Sequence, residues 1–166
     1  MGSRALSMLL AGAVVFVTAQ AAADDLITVR RLTLEAAQEA AQGAVAACRA
    51  QGYQVAAVVV DRAGDPQAML RDTLAPRFTI QIAEDKARAV VLSGADSAEF
   101  RKNRTDIREE MNHVDGVLVL EGGIAIRAAG ALVGALGVSG APGGDRDAAC
   151  ARAGLAKLQE RLDFAE

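Results

Sequence analysis

The chain has 166 residues, of which 52% are hydrophobic and only 3% aromatic, and it carries a formal net charge of −3. This length is enough for one domain with a hydrophobic core of its own. The scarcity of aromatic side chains argues against stacking on nucleic-acid bases, and the acidic balance argues against binding to phosphate backbones. We therefore expect no nucleic-acid partner.

The N-terminal segment has the features of a secretory signal peptide. Arg4 provides a positively charged N-terminal region, and Met8–Val17 is an apolar stretch too short to span a bilayer comfortably. Either Ala19–Ala21 or Ala21–Ala23 offers the small residues of a cleavage site. We predict a signal peptide at residues 1–23 and a mature domain at residues 24–166, periplasmic or secreted. After cleavage no membrane span is expected; an uncleaved anchor is the alternative.

Two helices and a hairpin are predicted in the first half of the mature chain. Thr33 is a suitable N-cap for a helix over Leu34–Gln51, where apolar residues recur at helical spacing. The apolar run of Val55–Asp61 predicts a strand, and a Gly-Asp-Pro turn joins it to a partner strand at Gln67–Arg71. Pro76 suits the first turn of a second helix, which ends at about Leu92.

The next segment has a weaker pattern. Asp96–Met111 predicts an exposed helix, because charged residues fill most positions outside one apolar stripe. A short strand is expected at Val117–Leu120, and the last helix of the chain at Asp147–Leu162.

Glu121–Gly140 is the stretch around which the other elements are expected to pack. Its first part alternates like a strand, and Ala129-Gly130 suits a tight hairpin turn. Ala131–Val138 is apolar on both faces, which is typical of a central strand. The glycines inside it indicate either a bulge or the close approach of another backbone or a flat ligand. The glycine-rich turn that follows is either a plain connection or an anion site made of free N–H groups.

Together these elements predict a single α+β domain with a five-stranded antiparallel sheet. Hairpins imply antiparallel pairing, so a doubly wound parallel sheet is not expected. We expect the N- and C-terminal helices to pack on the same face of the sheet.

The two cysteines fall on predicted helices and form no C-x-x-C pair, which argues against a thiol redox site. Cys48 lies late in the first helix and Cys150 early in the last, so antiparallel neighbours would bring them level. A disulfide between them is plausible in an oxidising compartment.

Few side chains are candidates for chemistry. There is no G-x-S-x-G nucleophile motif, and one histidine cannot anchor a typical zinc cluster. Carboxylates one helical turn apart, at Asp96/Glu99 and Asp106/Glu109, would suit a hard cation or simply a solvated face. His113 is the single imidazole and follows Met111 by two residues; both side chains are soft enough to ligate haem iron.

Three blocks of the sequence resemble the GlcG/HbpS-type haem-binding family, over nearly all of the mature chain. The first is Leu32–Ala37 with its Ala-rich helix, and the second runs from Val59–Gly64 through Lys86-Ala87. The third and most diagnostic is Glu121–Ile124 with Val133–Gly140 and Ala151–Gly154. The chain departs from the family pattern at Ala125, where proline is usual, and at Ala89, where threonine is frequent.

The resemblance implies a profilin-like fold, a homo-oligomer, and binding of haem or a related tetrapyrrole by a carrier or redox sensor. On that basis we predict His113 as the iron ligand, with Met111 or Tyr53 as alternatives. Lys86 and Arg71 are predicted to meet the haem propionates; otherwise Lys86 lays its stem over the core with its ammonium in water. An enzyme that degrades haem oxidatively and a binding module for a small acidic metabolite remain the other two hypotheses.

Overall fold

The computed structural model describes Gly2, Asp25 and residues 27–165, so the predicted signal peptide lies, apart from Gly2, outside the described residues. The domain is of the α+β type, with elements in the order α1 (Leu34–Ala50), β1 (Ala56–Asp61), β2 (Pro66–Arg71), α2 (Thr79–Ser93), α3 (Ser97–Asn103), α4 (Arg108–Met111), β3 (Gly123–Ala128), β4 (Ala131–Ser139) and α5 (Gly144–Asp163). None of the described helices is both long enough and apolar enough to cross a membrane.

The sheet has four strands in the order β2-β1-β4-β3, and all three pairings are antiparallel. The prediction of five strands was wrong, because Val117–Leu120 does not join the sheet. The Leu118 N–H donates to the Asp85 carbonyl on α2 at 3.2 Å, and the Val119 N–H donates to Asn112 Oδ1 at 2.8 Å. These partners, one on α2 and one in the loop after α4, take the place of a neighbouring strand.

The two faces of the sheet carry different helices. α1 and α5 pack on one face, as predicted, with α1 over β1 and β2 and α5 over β3 and β4. α2 packs on the other face, against Ala56, Val58 and Val60 of β1. Because it is covered on both sides, β1 is buried at all six of its positions.

Glycine in β4 allows α2 to come very close to the sheet. A Cβ placed on Gly137 would lie 1.8 Å from the Ala83 carbonyl oxygen, so no other residue fits without moving the helix. The prediction that a glycine in this strand marks close backbone approach is therefore confirmed.

The two helices on the first face are joined covalently. Cys48 Sγ and Cys150 Sγ are 2.12 Å apart, and both residues are fully buried. The predicted disulfide is confirmed. It ties the helix that covers β2 to the helix that covers β3.

The predicted helix over Asp96–Met111 is two short helices, α3 and α4. The chain leaves the helical conformation at Arg104, where φ is −123° and ψ is 53°. The start of α3 is also not an exposed flap, since Ser97 and Phe100 are buried. Burial of these two side chains fixes α3 against the domain, while α4 has no buried residue.

Candidate functional site

A groove of about 500 Å³ lies between the end of α2 and the two short helices. Its apolar wall consists of Leu92, Phe100, Ile107 and Met111, and its polar positions include Ser93, Glu99, Asn103 and Arg104. Leu92 is 55% exposed although it is a large apolar side chain, so part of this wall faces solvent. Such an apolar surface with a polar rim is typical of sites for flat, largely apolar ligands.

Arg104 sets the charge at the rim of this groove. Its Nε and one terminal nitrogen each donate to the Asp106 carboxylate at 3.0 Å, and this hydrogen bonding lowers the pKa of Asp106. The other terminal nitrogen of Arg104 has no hydrogen-bond partner among the described residues, so it is available to an anionic group.

The two predicted iron ligands are close together in the chain, and one of them lines the groove. Met111 is one of its lining residues. His113 follows directly after α4, where its backbone N–H donates to the Glu110 carbonyl at 3.0 Å and its side chain is exposed. Within the described residues there is no group of three or more His, Cys, Asp or Glu side chains that could hold a metal ion. A metal held here by protein side chains alone is therefore not supported, whereas one axial ligand to a bound cofactor needs no such cluster.

Lys86 is placed in the interior instead. It is 1% exposed, and its Nζ donates to Asp147 Oδ2 at 2.8 Å and to the Val138 carbonyl at 3.1 Å. Burial raises the pKa of Asp147, and the Lys86 ammonium opposes this effect. The alternative in which the ammonium of Lys86 reaches water was wrong, because this charge is used to connect α2 with α5.

Arg71 lies at the end of β2 and has partners of its own. One terminal nitrogen donates to the carbonyls of Asp72, Thr73 and Ala75. Arg71 lines a separate cavity with Leu70 and Asp72. The structure thus brings Met111 and His113 to one segment and leaves Lys86 and Arg71 away from the groove. Their predicted contacts with propionates stay predictions.

Tyr53, the alternative ligand, is also engaged elsewhere. Its hydroxyl accepts a hydrogen bond from Arg146 at 2.7 Å, near the start of α5. In the glycine-rich turn before α5, the Ala141 N–H donates to Asp147 Oδ1 at 2.9 Å. The anion bound at this turn is therefore the side-chain carboxylate of Asp147, not a ligand.

A second groove, of about 380 Å³, runs between β3 and α5. Two of its polar side chains, Asp96 and Gln159, close the edge of the sheet together with Ser97, which follows Asp96 in the chain. Ser97 Oγ accepts from the Gly123 N–H and Asp96 Oδ1 from the Ala125 N–H, both at 2.9 Å, and Gln159 Oε1 accepts from the Arg127 N–H at 3.5 Å. Asp96 and Gln159 thus already have backbone partners on β3.

Sequence reasoning missed most of the groove. Leu92, Phe100 and Ile107 are spread over three elements, and only the predicted stripe through Phe100, Ile107 and Met111 pointed to a shared surface. Arg104 belongs to the same stripe by spacing, but its position at the break between α3 and α4 was not anticipated.

Comparison with known proteins gives a family and a fold. Residues 32–156 match the family described as "Haem degrading protein HbpS-like". The crystal structure of HbpS is 39% identical, with a TM-score of 0.77 over 84% of this chain and 99% of that one. A double mutant of Streptomyces reticuli HbpS is 38% identical, with a TM-score of 0.77 over 87% of this chain and 98% of the other.

A more distant structure, of a PduOC–haem complex, is 23% identical with a TM-score of 0.70 over 76% of this chain and 94% of that one, and shows likeness of fold alone. No curated protein matches the sequence. The match over residues 32–156, together with 39% identity across most of both chains, shows that this chain belongs to the HbpS-like family.

Proposed function

We propose that this protein binds haem, or a closely related tetrapyrrole, in the groove formed by α2, α3 and α4. The observation that carries the proposal is an apolar groove of about 500 Å³ with a thioether in its wall and an imidazole two residues further along. Membership of a family described by haem degradation supports the choice of ligand.

The chemistry of the lining fits this ligand. Leu92, Phe100 and Ile107 would remove the apolar macrocycle from water, which is the main source of affinity for a flat apolar molecule. The free nitrogen of Arg104 would meet a propionate at the rim. Met111 and His113 offer the soft donors that haem iron accepts, and the bound haem would supply the redox chemistry.

A haemin titration followed by absorbance tests the proposal. The wild-type protein should shift the Soret band and saturate, while Leu92→Glu should weaken binding about tenfold or more by placing a charge on the apolar wall. Ala131→Glu, an exposed change on the β3–β4 turn, is the matched control and should bind as the wild type does. A titration that cannot be told from haemin in buffer would contradict haem binding.

The axial ligand is tested by two substitutions that spare the core. His113→Ala should remove the histidine signature of the ferric spectrum if His113 holds the iron, and Met111→Leu should do so for the thioether while keeping the side-chain volume. Asp115→Ala, on the same exposed loop, is the control. An unchanged spectrum in both ligand variants would place the iron elsewhere.

The anchoring of the propionates can be tested separately. Arg104→Ala should weaken haemin binding if the groove is used, and Arg71→Ala should weaken it if the sequence prediction is right. Weaker haemin binding by Arg71→Ala alone would indicate that the haem site lies near β2 instead.

Oxidative haem degradation is a second candidate function, favoured by the description of the matching family. The test adds hydrogen peroxide, or ascorbate with oxygen, to the haem-loaded protein and follows the Soret band. Folded protein should bleach haem faster than albumin-bound haemin under the same conditions. Equal rates would leave a carrier or a redox sensor as the function.

We also propose a periplasmic or secreted location for the mature protein and a homo-oligomeric state. N-terminal sequencing of the exported protein should begin after Ala23, and light scattering should give more than one monomer mass. A protein that keeps residues 1–23, or that has the monomer mass in physiological salt, would contradict the respective statement.

A further inference from the structure

The loop that joins β2 to α2, residues 72–78, holds two large apolar side chains out in solvent. Leu74 is 78% exposed and Phe78 is 62% exposed. Ala56, the first residue of β1, pairs with the last residues of β2 and β4, so the loop lies at the end of the sheet where these strands meet. Neither Leu74 nor Phe78 lines one of the grooves described above. A partner at this loop would therefore be entered by these side chains and would not itself enter the protein.

Hydrogen bonds hold this loop in a fixed shape. The Ala75 N–H donates to the Asp72 carbonyl at 3.0 Å, and the Leu74 N–H donates to Gln54 Oε1 at 3.2 Å. Asp72 and Ala75 are buried, so the turn that anchors these two residues leaves Leu74 in solvent between them. Since the loop is already ordered, burying Leu74 and Phe78 in a partner would cost little conformational entropy.

Arginine side chains lie beside the two apolar ones. The guanidinium of Arg77 lies over the Phe78 ring, 4.8 Å from its centroid, and has no hydrogen-bond or ion-pair partner among the described residues. Arg146, near the start of α5, donates to the Tyr53 hydroxyl at 2.7 Å, and Tyr53 directly precedes the Gln54 that holds the loop. Both positive charges are therefore on the same end of the molecule as the two apolar side chains.

Ion pairs neutralise most of the carboxylates at this end. The pairs are Asp72–Arg49, Asp147–Lys86 and Glu121–Arg101. Asp145 has no ion pair among the described residues. Arg71, which donates to carbonyls, and Arg77 and Arg146 likewise have no carboxylate partner within that part of the chain. This end therefore carries an excess of positive charge on a chain whose net charge is −3.

We propose that this end of the protein docks on an anionic lipid bilayer, with Leu74 and Phe78 inserted among the headgroups and Arg77 and Arg146 against the lipid phosphates. Apolar side chains in the interface and basic side chains at the anionic surface are the two contributions that hold a protein on such a membrane. The charge disfavours a second copy of the chain as the occupant. A two-fold contact through this loop would bring each Arg77 toward the Arg77 of the other copy, whereas a lipid surface of opposite charge attracts it.

Sedimentation with lipid vesicles tests the apolar part, using phosphatidylglycerol and phosphatidylcholine in equal amounts. All proteins lack residues 1–23, because that apolar segment would bind lipid by itself and every described helix and strand lies after it. Leu74→Ser with Phe78→Ser should lower the partition coefficient about tenfold or more. The matched control is Ile27→Ser with Phe164→Ser, which removes two exposed apolar side chains near the far end of α5 and should bind as the wild type does. An equal loss in the two double variants would overturn the proposal.

The electrostatic part has its own pair of variants. Arg77→Gln should weaken binding to these vesicles about fivefold, while Arg62→Gln, on the exposed turn between β1 and β2 at the other end of the sheet, should not. Wild-type protein that fails to bind these vesicles, or that binds phosphatidylcholine alone equally well, would overturn the proposal. A change of assembly mass in the Leu74→Ser, Phe78→Ser variant, measured without lipid by sedimentation equilibrium, would make the loop a contact between copies and would also overturn it. No measurement uses haem, so failure of the haem proposal would not alter the outcome.

Discussion

The two edge strands of this small sheet have similar lengths but different surroundings. β3 lies beside α3 and α5, which supply Asp96, Ser97 and Gln159 as acceptors for its outward N–H groups. β2 has α1 over one face, but no described side chain accepts a hydrogen bond from its outward Met69 and Arg71 amides. An edge is thus closed not by its own sequence but by the elements that fold next to it.

The largest effect expected concerns the disulfide that joins α1 to α5. Replacing Cys48 and Cys150 together by alanine should cost about 4 to 5 kcal/mol in the chain-entropy account, given a sequence separation of 102. Urea unfolding of the double variant measures this loss. Because α1 covers β2 and the outward amides of Met69 and Arg71 have no hydrogen-bond partner among the described residues, hydrogen exchange should rise most in β2 when the disulfide that holds α1 is removed.

A loss below about 1 kcal/mol, or equal deprotection of β2 and β3, would contradict that account. The wild-type protein unfolded in the presence of reductant is the matched control, since it has the same side chains without the bond.

The second effect concerns the buried ion pair beside the start of β3. Lys86→Ala would leave the Asp147 carboxylate buried without its partner, at a cost of about 3 to 5 kcal/mol. Lys86→Met with Asp147→Asn removes both charges, keeps similar volumes and leaves an acceptor for Ala141. Urea unfolding should show that this double variant recovers most of the loss; a double variant no more stable than Lys86→Ala would contradict the argument.

The third effect addresses the closed edge itself. Ser97→Ala should leave the buried Gly123 N–H without an acceptor, at a cost of about 1 to 3 kcal/mol. Amide exchange at Gly123 should speed up toward the rate of an open edge. Thr105→Ala, at an exposed position, is the control and should change neither stability nor exchange at Gly123. Unchanged exchange in Ser97→Ala would mean that the edge is closed by something other than this hydroxyl.

The smallest effect expected is the pH dependence of the free energy of unfolding that comes from Asp72, the residue after β2. Two hydrogen bonds of 2.9 Å from Arg49 lower the pKa of Asp72, just after β2, below its ordinary 3.8. The unfolded chain then binds this proton more readily, so the pair stabilises the fold above pH 3.8 and loses that contribution as the pH falls through the lower folded pKa.

Asp72→Asn should therefore flatten the acid side of the stability profile, measured by urea unfolding at a series of pH values. Asp115→Asn on the exposed loop is the matched control. A profile of Asp72→Asn parallel to that of the wild type would show that the Arg49 pair contributes nothing there.

Part of the site was readable from the sequence and part was not. His113 and Met111 were predicted as iron ligands because the family resemblance implies haem and both side chains are soft donors close together in the chain; that role stays a prediction. The apolar wall at Leu92 and the position of Arg104 both depend on where α3 ends. The sequence shows no change of periodicity at Arg104, where the helix breaks. Lys86 was predicted to meet the haem propionates, or otherwise to extend its ammonium to water, and neither reading anticipated a buried ion pair with Asp147.

What the sequence by itself determined are the elements with strong local patterns. Thr33 caps α1 as expected, with its Oγ1 accepting from the Ala36 N–H at 3.2 Å, and the β1–β2 and β3–β4 hairpins follow from alternation and turn residues. The disulfide was also predictable, because Cys48 late in the first helix and Cys150 early in the last lie level if the two helices are antiparallel neighbours.

Only the tertiary structure decided which segments complete the sheet and where the buried charges go. Val117–Leu120 has the composition of a strand, yet α2 and Asn112 supply its hydrogen bonds. Asp147 was expected to begin the last helix, but α5 begins at Gly144 and the carboxylate turns inward to Lys86 and Ala141. Such choices depend on contacts between residues far apart in the chain, which composition and periodicity do not encode.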